Sequence, residues 1–414
     1  MRPDDALSEL LAEPVVRAIA AAAGDVPCHL VGGVVRDRLA GVHTYDFDVS
    51  LSSGAVGIGE ELADRLRARL VRLGGDRFAA VRIVGKDLQV DLWDREGGSL
   101  ADDLERRDFT INSIALGLDG KVVDPLGGRD DVARRRLRAN RQSSFAEDPL
   151  RVVRLVRFAA VGYRVDRRTG ALARRSAPEV QKVAAERIRQ ELGLTLAAPH
   201  GAAAVHWLVT TTLYPALWSG EPVAGEESSA RASIGLAARA LERRLAGLES
   251  SPGQRALARQ ALLVAALATP GRTAAALTAG MHRRGLLSGR EREAIARQAA
   301  PRPLPRTDLE RRRFLHDAGP DWRLALVVRA ALARRPESAA WDRVAPRLEE
   351  IARAEPEIFD PPALLDGHEI QQLTGLKPGS ELGRRIAELR TAQVLGQVRT
   401  RQQAIAFVRA EPRA

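Results

Sequence analysis

In the stretch YDFDV, Tyr45 to Val49, two aspartates, Asp46 and Asp48, stand one residue apart between apolar neighbours. An extended chain sends alternate side chains to one face, about 6 to 7 Å apart, so the two carboxylates would be neighbours while Tyr45, Phe47 and Val49 turn inward. Two carboxylates placed in this way can hold divalent ions, although the alternation alone describes any half-buried strand. The neighbouring segments carry the decision. Upstream lies GGVVRD, Gly32 to Asp37. Glycines that end a strand and open a helix let backbone N–H groups approach a phosphate, and the helix start adds favourable charge. A phosphate cradle followed by D-x-D on the adjacent strand reads as a triphosphate site beside its metal ions. Two-metal transfer needs carboxylates that bridge ions about 3.5 to 4 Å apart, one activating the attacking hydroxyl and the other neutralising the leaving pyrophosphate. Asp91, in LQVDLW on a strand expected to lie beside the first, is the candidate third carboxylate.

The elements that must position these groups follow from periodicity. CHLVGG predicts a strand ending in a glycine turn, VVRDRLA a helix closed by Gly41, and YDFDVSL the next strand. GEELADRLRARL predicts an amphipathic helix, and DRFAAVRIV and DLQVDLW two strands around the turn Gly85 to Asp87. GKVVDPLGG closes this part with a short strand and a Pro/Gly turn. From SSFAEDPLRVVRLVRFAA the expectation is one long helix, capped by Ser144 and supported by Glu147, with Leu150, Val153, Val156 and Ala160 as its packing stripe. Beyond residue 136 almost everything carries helical periodicity in alanine, leucine and arginine. Ser219 to Ala230 and Ala300 to Asp308 are polar or proline-rich breaks. The pattern is α+β: a mixed head followed by helices, with no convincing internal repeat.

At 414 residues the chain suggests two to four domains. Its net charge of +11 favours a polyanionic partner, which releases counterions on binding. Only Lys86, Lys121, Lys182 and Lys377 of its 64 basic residues are lysine, a bias that G+C-rich coding also produces. Aromatics at 4% argue against a broad base-stacking platform. The single Cys28 excludes an internal disulfide framework, the acidic start MRPDDALSEL is unlike a secretory signal, and no apolar run is long enough to span a bilayer. A soluble, cytoplasmic protein is expected.

Downstream comes RRDFTIN, Arg106 to Asn112. Taken in order, GGVVRD, DFD, RRDFTIN, DPLGG, FAEDPLRVVRLVRFAA and ERIRQEL resemble the class II tRNA nucleotidyltransferases, which include the CCA-adding enzymes, and their bacterial poly(A) polymerase relatives, over Leu30 to about Leu192. The resemblance implies a polymerase-beta-like nucleotidyltransferase head with a mixed sheet (1–136), then an all-helical neck (137–200), body (201–350) and tail (351–414). It implies addition of C, C and A to the 3′ end of tRNA from CTP and ATP without a nucleic-acid template. Asp46 and Asp48 would hold metal ions, with Mg²⁺ the expected cofactor because it prefers carboxylates plus phosphate oxygens. Gly32, Gly33 and Arg36 would meet the triphosphate. Arg106 or Arg107 would contact phosphate, and Asp108 and Asn112 would help select the ribose. Asp148 and Arg151, three apart and so expected on one helix face, would offer an acceptor and a forked donor to the base edge. Arg154 would reach back to the triphosphate, and Glu147, Glu186 and Arg187 would give structural support. Leu364 to Val408 resembles the tail that helps hold the tRNA, with a last helix capped by Thr400 and Gln403.

The chain also departs from the family pattern. Asp94 to Glu105, DREGGSLADDLE, is shorter than the mobile loop many CCA-adding enzymes use in switching from C to A, which raises partial addition of CC or of A alone. Asp76, in LGGDRFAAV, interrupts the basic signature usual in bacterial poly(A) polymerases, so poly(A) synthesis ranks lower. A binding protein that keeps the fold without catalysis is the non-enzymatic alternative; clustered negative charge facing a polyanion argues against it. His316-Asp317 lacks the further histidines of a metal phosphohydrolase site, and Cys28-His29 reads as strand-edge packing.

Overall fold

A computed structural model describes residues 3–73, 80–95, 99–211, 213, 217, 227–268, 273–334 and 336–410. The chain forms two compact units, Met1–Thr195 with Thr210–Ala216, and Leu196–Val209 with Leu217–Ala414. The first opens with helices α1 (Pro3–Leu11) and α2 (Pro14–Ala23), and its centre is a seven-stranded mixed sheet. The strands are β1 (Cys28–Val31), β2 (Asp46–Leu51), β3 (Arg69–Leu73), β4 (Ala80–Val84), β5 (Gln89–Asp94), β6 (Ala115–Gly117) and β7 (Val122–Val123). Their order is β3-β4-β5-β2-β1-β6-β7. Within this sheet only β2 and β5 run parallel, with Asp48 opposite Asp91 and Ser50 opposite Trp93. A separate parallel pair joins Arg136–Leu137 to Arg164–Val165, so the neck expected to be all-helical over 137–200 carries a short strand.

Alternation along β2 and β5 sets the two faces. Phe47, Val49, Leu51, Val90 and Leu92 are buried on one side, beneath α4 (Ala55–Leu66), which packs on β3, β4 and β5 with Ile58 and Leu62. Each such side chain contributes about 1.5 to 3 kcal/mol by leaving water. The opposite side carries Asp46, Asp48, Asp91 and Trp93. Helix α3 (Gly33–Leu39) follows β1 through a turn at Gly32.

Three local expectations change. Tyr45 is 68% exposed rather than inward, because β2 begins one residue later, at Asp46. The helix expected over Gly59 to Leu70 ends at Leu66, where Arg67 takes a left-handed conformation, and Arg69–Leu73 pairs with β4 as an outer strand. The long helix expected from Ser144 is two, α7 (Ser144–Glu147) and α8 (Leu150–Ala160). Between them Asp148 is extended, at φ −141° and ψ 100°, because the ring of Pro149 disfavours helical backbone in the residue before it.

RDFTIN is a tight 3-10 turn over Thr110–Asn112, held from below by α6 (Gly128–Ala133). A Cβ on Gly128 would lie 2.1 Å from the Thr110 carbonyl oxygen, so DPLGG ends in glycine where two backbones meet. Asp124 of the same motif accepts the Gly128 and Arg129 amides. Fully buried Asp131 accepts the Thr110 hydroxyl at 2.6 Å and the guanidinium of Arg138 at 2.6 Å.

The described part of the second unit is helical. One apolar cluster gathers Phe314, Leu315, Trp322, Trp341, Leu348 and Ile351; another joins Leu365, Ile370, Leu382, Leu389, Val398 and Val408. The stretch before Asp308 is non-helical, as its prolines require. The capping box of Thr400 and Gln403 opens the helix Arg401–Arg409. The segment around Asp76 and most of Ser219 to Ala230 lie outside the described residues.

Candidate active site

The turn at Gly32 is built for closeness. Its φ is +71°, and a Cβ there would stand 2.8 Å from Nη1 of Arg107 and 3.3 Å from Oδ2 of Asp48. Glycine thus brings the start of α3, the RRDFTIN turn and β2 together. The cavity that results, about 470 Å³, is lined by Gly32, Gly33, Arg36, Asp37, Thr44, Asp46, Asp48, Arg107, Asp108 and Asn112 from the head elements. Asp148, Leu150, Arg151, Arg154, Arg157 and Arg187 complete it. Six arginines therefore face five aspartates, as a polyanion and its cations require.

On the sheet wall, Asp46 sits at the exposed start of β2 and accepts the Gln89 amide at 2.9 Å. Burial pushes Asp48 up to about 6; Arg107 opposes this, Asp46 and Asp91 reinforce it, and Arg154 opposes it more weakly. Asp91 departs from expectation. It lies opposite Asp48, but Nε and Nη2 of Arg82 each donate to it at 2.7 Å, and it does not line the cavity. Among the described residues no group of three or more His, Cys, Asp or Glu side chains is placed to hold a metal ion. Asp46 and Asp48, both lining the cavity from β2, remain a hard oxygen donor set that suits an ion also bound to phosphate.

The opposite wall is a hydrogen-bonded chain. Arg36 forks onto Asp37 at 2.7 and 2.8 Å and donates to Oδ1 of Asn112 at 2.6 Å, with its guanidinium over the Phe158 ring. Asn112 donates to Asp108 at 2.8 Å, Arg154 donates to Asp108 at 2.8 Å, and Arg154 continues to Glu191 of α10 (Ala185–Ala197) at 3.3 Å. Burial alone would raise Asp108, but Arg154 and three hydrogen bonds overcome it and hold the carboxyl below its usual range.

Arg107 lies over Trp93 and pairs with Asp103 at 3.1 Å. Arg106 caps α5 (Leu100–Glu105), and its carbonyl, rather than its side chain, is used: Arg151 donates to it at 2.7 Å. Arg151 also bonds the carbonyl and hydroxyl of Ser144. Asp148 and Arg151 therefore do not share a helix face, although both line the cavity; Asp148 is held by Arg187 at 3.0 Å. Arg187, expected as support, belongs to the cavity wall. Glu147 accepts from Ser143 and Arg141, and the N-cap of α7 is Ser143, not Ser144. Glu186 is exposed in the first turn of α10 and away from the lining.

Residues 28–138 match the family model described as the Poly A polymerase head domain, and residues 162–219 match one described as the probable RNA and SrmB-binding site of polymerase A. The chain is 31% identical over 420 residues to an A-adding tRNA nucleotidyltransferase of Deinococcus radiodurans, covering 92% of this chain and 94% of that one. It is 32% identical over 440 residues to a CC-adding tRNA nucleotidyltransferase of Geobacter sulfurreducens, covering 97% and 96%. The chain belongs to the tRNA nucleotidyltransferase and bacterial poly(A) polymerase family. Its fold agrees with solved members of that family. The Thermotoga maritima CCA-adding enzyme complexed with tRNA superposes at a TM-score of 0.66 and 19% identity, with 97% of each chain covered. The Bacillus stearothermophilus CCA-adding enzyme in complex with CTP superposes at 0.65 and 24%, covering 99% and 97%.

For a nucleotidyltransferase of this family, Asp37, Thr44, Leu150 and Arg157 are lining residues that sequence reasoning passed over. Arg157 carried a signal: Arg151, Arg154 and Arg157 recur every three residues and share a helix face. Asn140, which reaches the Arg107 carbonyl at 2.9 Å and the Ser113 hydroxyl at 2.7 Å, carried none, because its partners are distant in sequence. His316 is bonded to the Ile358 carbonyl at 2.9 Å, and buried Cys28 has its thiol pushed up to about 12 by burial. No described helix is long and apolar enough to cross a membrane.

Proposed function

We propose that this chain extends the 3′ end of tRNA without a nucleic-acid template, transferring CMP and AMP from CTP and ATP to complete CCA. The observation that carries this reading is the shared cavity: a carboxylate pair on β2 faces an arginine-rich wall, and an acceptor and a donor, Asp148 and Arg187, line the same space. Members of the family depend on metal ions in general. Asp46 and Asp48 would hold Mg²⁺, which when bound lowers the pKa of the attacking 3′-hydroxyl and neutralises pyrophosphate. Gly32 admits the triphosphate close to the backbone, and Arg36 and Arg107 neutralise it. Asp108 and Asn112 hold each other at 2.8 Å and present polar edges to the ribose. Asp148 and Arg187, with Arg151 behind them, meet the base edge. Arg154 and Arg157 complete the positive wall. Segments 137–200, 201–350 and 351–414 act as neck, body and tail, the last two carrying the tRNA, and the protein works in the cytoplasm.

A second reading, addition of CC alone or A alone, is favoured by the short Asp94 to Glu105 connection; residues 96–98 of it lie outside the described structure. Incubating the purified chain with tRNA lacking CCA, supplying CTP, ATP or both, and resolving products by length separates the readings. Three additions with both nucleotides support CCA synthesis. Two additions that ATP never extends indicate CC addition, and no addition unless tRNA already ends in CC indicates A addition. Long A tails on arbitrary RNA indicate a poly(A) polymerase. Binding without any addition contradicts catalysis.

A further inference from the structure

Asp91 occupies the place a third metal-binding carboxylate would take, directly opposite Asp48 in the parallel β2–β5 register and on the same face. Adjacent strands lie about 4.8 Å apart, so its carboxylate is within reach of any cation held by Asp48. Yet its two oxygens are both taken. Arg82 stands opposite Asp91 across the antiparallel β4–β5 pair and grips it through two parallel N–H···O bonds of 2.7 Å each. Such a planar fork fixes orientation as well as charge, which a lysine would not do. Asp91 is only 16% exposed, whereas Arg82 is 38% exposed. The arrangement is sided: β5 lies between β4 and β2, so Arg82 grips Asp91 from the flank opposite Asp48, and the cavity lining excludes Asp91. The hydrogen bonds to Asp91, and the charges of Asp91, Asp46 and Asp48 together, hold the Arg82 proton more tightly than usual against burial.

We propose that Arg82 is a positioning residue that withholds Asp91 from the metal site, so that divalent cations bind on Asp46, Asp48 and substrate phosphates, and Asp91 serves as the counter-ion of Arg82. This rests on the proposed metal-dependent transfer, but it concerns cation binding and can fail independently of it. Two consequences follow. Cation binding is weak until the nucleotide supplies further oxygens, which couples metal loading to substrate arrival. Release of Arg82 converts a two-carboxylate site into a three-carboxylate one, which binds bare cations more tightly.

The test is Mn²⁺ binding to the full chain without nucleotide, followed by electron spin resonance of the free ion. Arg82→Gln is expected to tighten Mn²⁺ binding about tenfold, the scale on which partners of metal ligands act. Asp91→Asn is expected to stay within about twofold of the unaltered protein, whereas Asp48→Asn loses most binding. The double variant Arg82→Gln/Asp91→Asn is decisive, because removing a positive charge alone would strengthen cation binding whether or not Asp91 is present. The gain from Arg82→Gln must vanish when Asp91 is absent. Arg82→Lys, which keeps the charge and loses the fork, should fall between the two. Melting curves confirm that each variant is folded. Weakening of Mn²⁺ binding by Asp91→Asn as large as that by Asp48→Asn, or a gain that persists in the double variant, overturns the inference. If Asp48→Asn itself leaves Mn²⁺ binding unchanged, the metal assignment and the inference fall together, whereas failure to extend tRNA with all five Mn²⁺ results as expected would refute the tRNA reading alone.

Discussion

Asp108 shows how a single residue can serve the site by holding others. Buried and yet ionised, it ties the RRDFTIN turn to α8 through Arg154 and to α3 through Asn112 and Arg36. Its native pKa lies below the unfolded value, so the stability it contributes is present above about pH 4 and is lost as pH falls through the native pKa. Asp108→Asn should therefore cost about 2 kcal/mol at pH 7, the scale of a charged hydrogen bond, with the deficit shrinking below about pH 4. Chemical denaturation of both proteins across that range reads the effect; a deficit independent of pH would contradict it. At Gly32, alanine meets both a left-handed backbone and a Cβ site 2.8 Å from the Arg107 guanidinium. Gly32→Ala should lose about 1 to 2 kcal/mol by thermal melt and raise the KM for CTP several-fold. That Asp46 and Asp48 share a strand face was legible from their spacing, and only the neighbouring motifs pointed to a metal; the Arg82 grip on Asp91 was not legible, because it depends on which strand lies beside β5.

Two elements illustrate why local pattern has limits. The word EDPLR was legible as part of the site, but its geometry was not: Pro149 breaks the expected helix and sets Asp148 extended, where Arg187 meets it. Replacing Pro149 with alanine removes the constraint on Asp148 and favours one continuous helix. Pro149→Ala is predicted to remain folded but to relax the choice of base, read as incorporation of UTP in competition with CTP; unchanged discrimination would show that the break is irrelevant to recognition. The strand β3 was hidden for a different reason. Leu66, Arg67, Ala68 and Leu70 have good helical propensity, and only pairing of Arg69–Leu73 with β4 overrides it. The helices of the second unit were legible as helices, since their caps and 3.6-residue stripes are local. Their partners were not, because alanine, leucine and arginine recur in nearly every one of them.

For the molecule as a whole, the chain has a catalytic head written in short, contiguous words and a helical remainder written in a uniform alphabet. The head was legible because the motifs that carry its family resemblance, GGVVRD, DFD and RRDFTIN, are each only a few residues long. A net charge of +11 gives the whole chain one further expectation. Its affinity for tRNA should fall by at least about tenfold between 50 and 200 mM salt, with log Kd linear in log salt, because bound phosphates release counterions. A salt-independent affinity would show that the basic residues are mere solvated surface. Catalysis at the β2 carboxylates is tested most directly by single-nucleotide extension of tRNA lacking CCA, with Mg²⁺, CTP and ATP, comparing the unaltered chain with Asp48→Ala. The unaltered chain should extend the tRNA, and Asp48→Ala should bind tRNA with nearly the same affinity while adding no nucleotide. Extension by Asp48→Ala at a near wild-type rate would contradict the assignment.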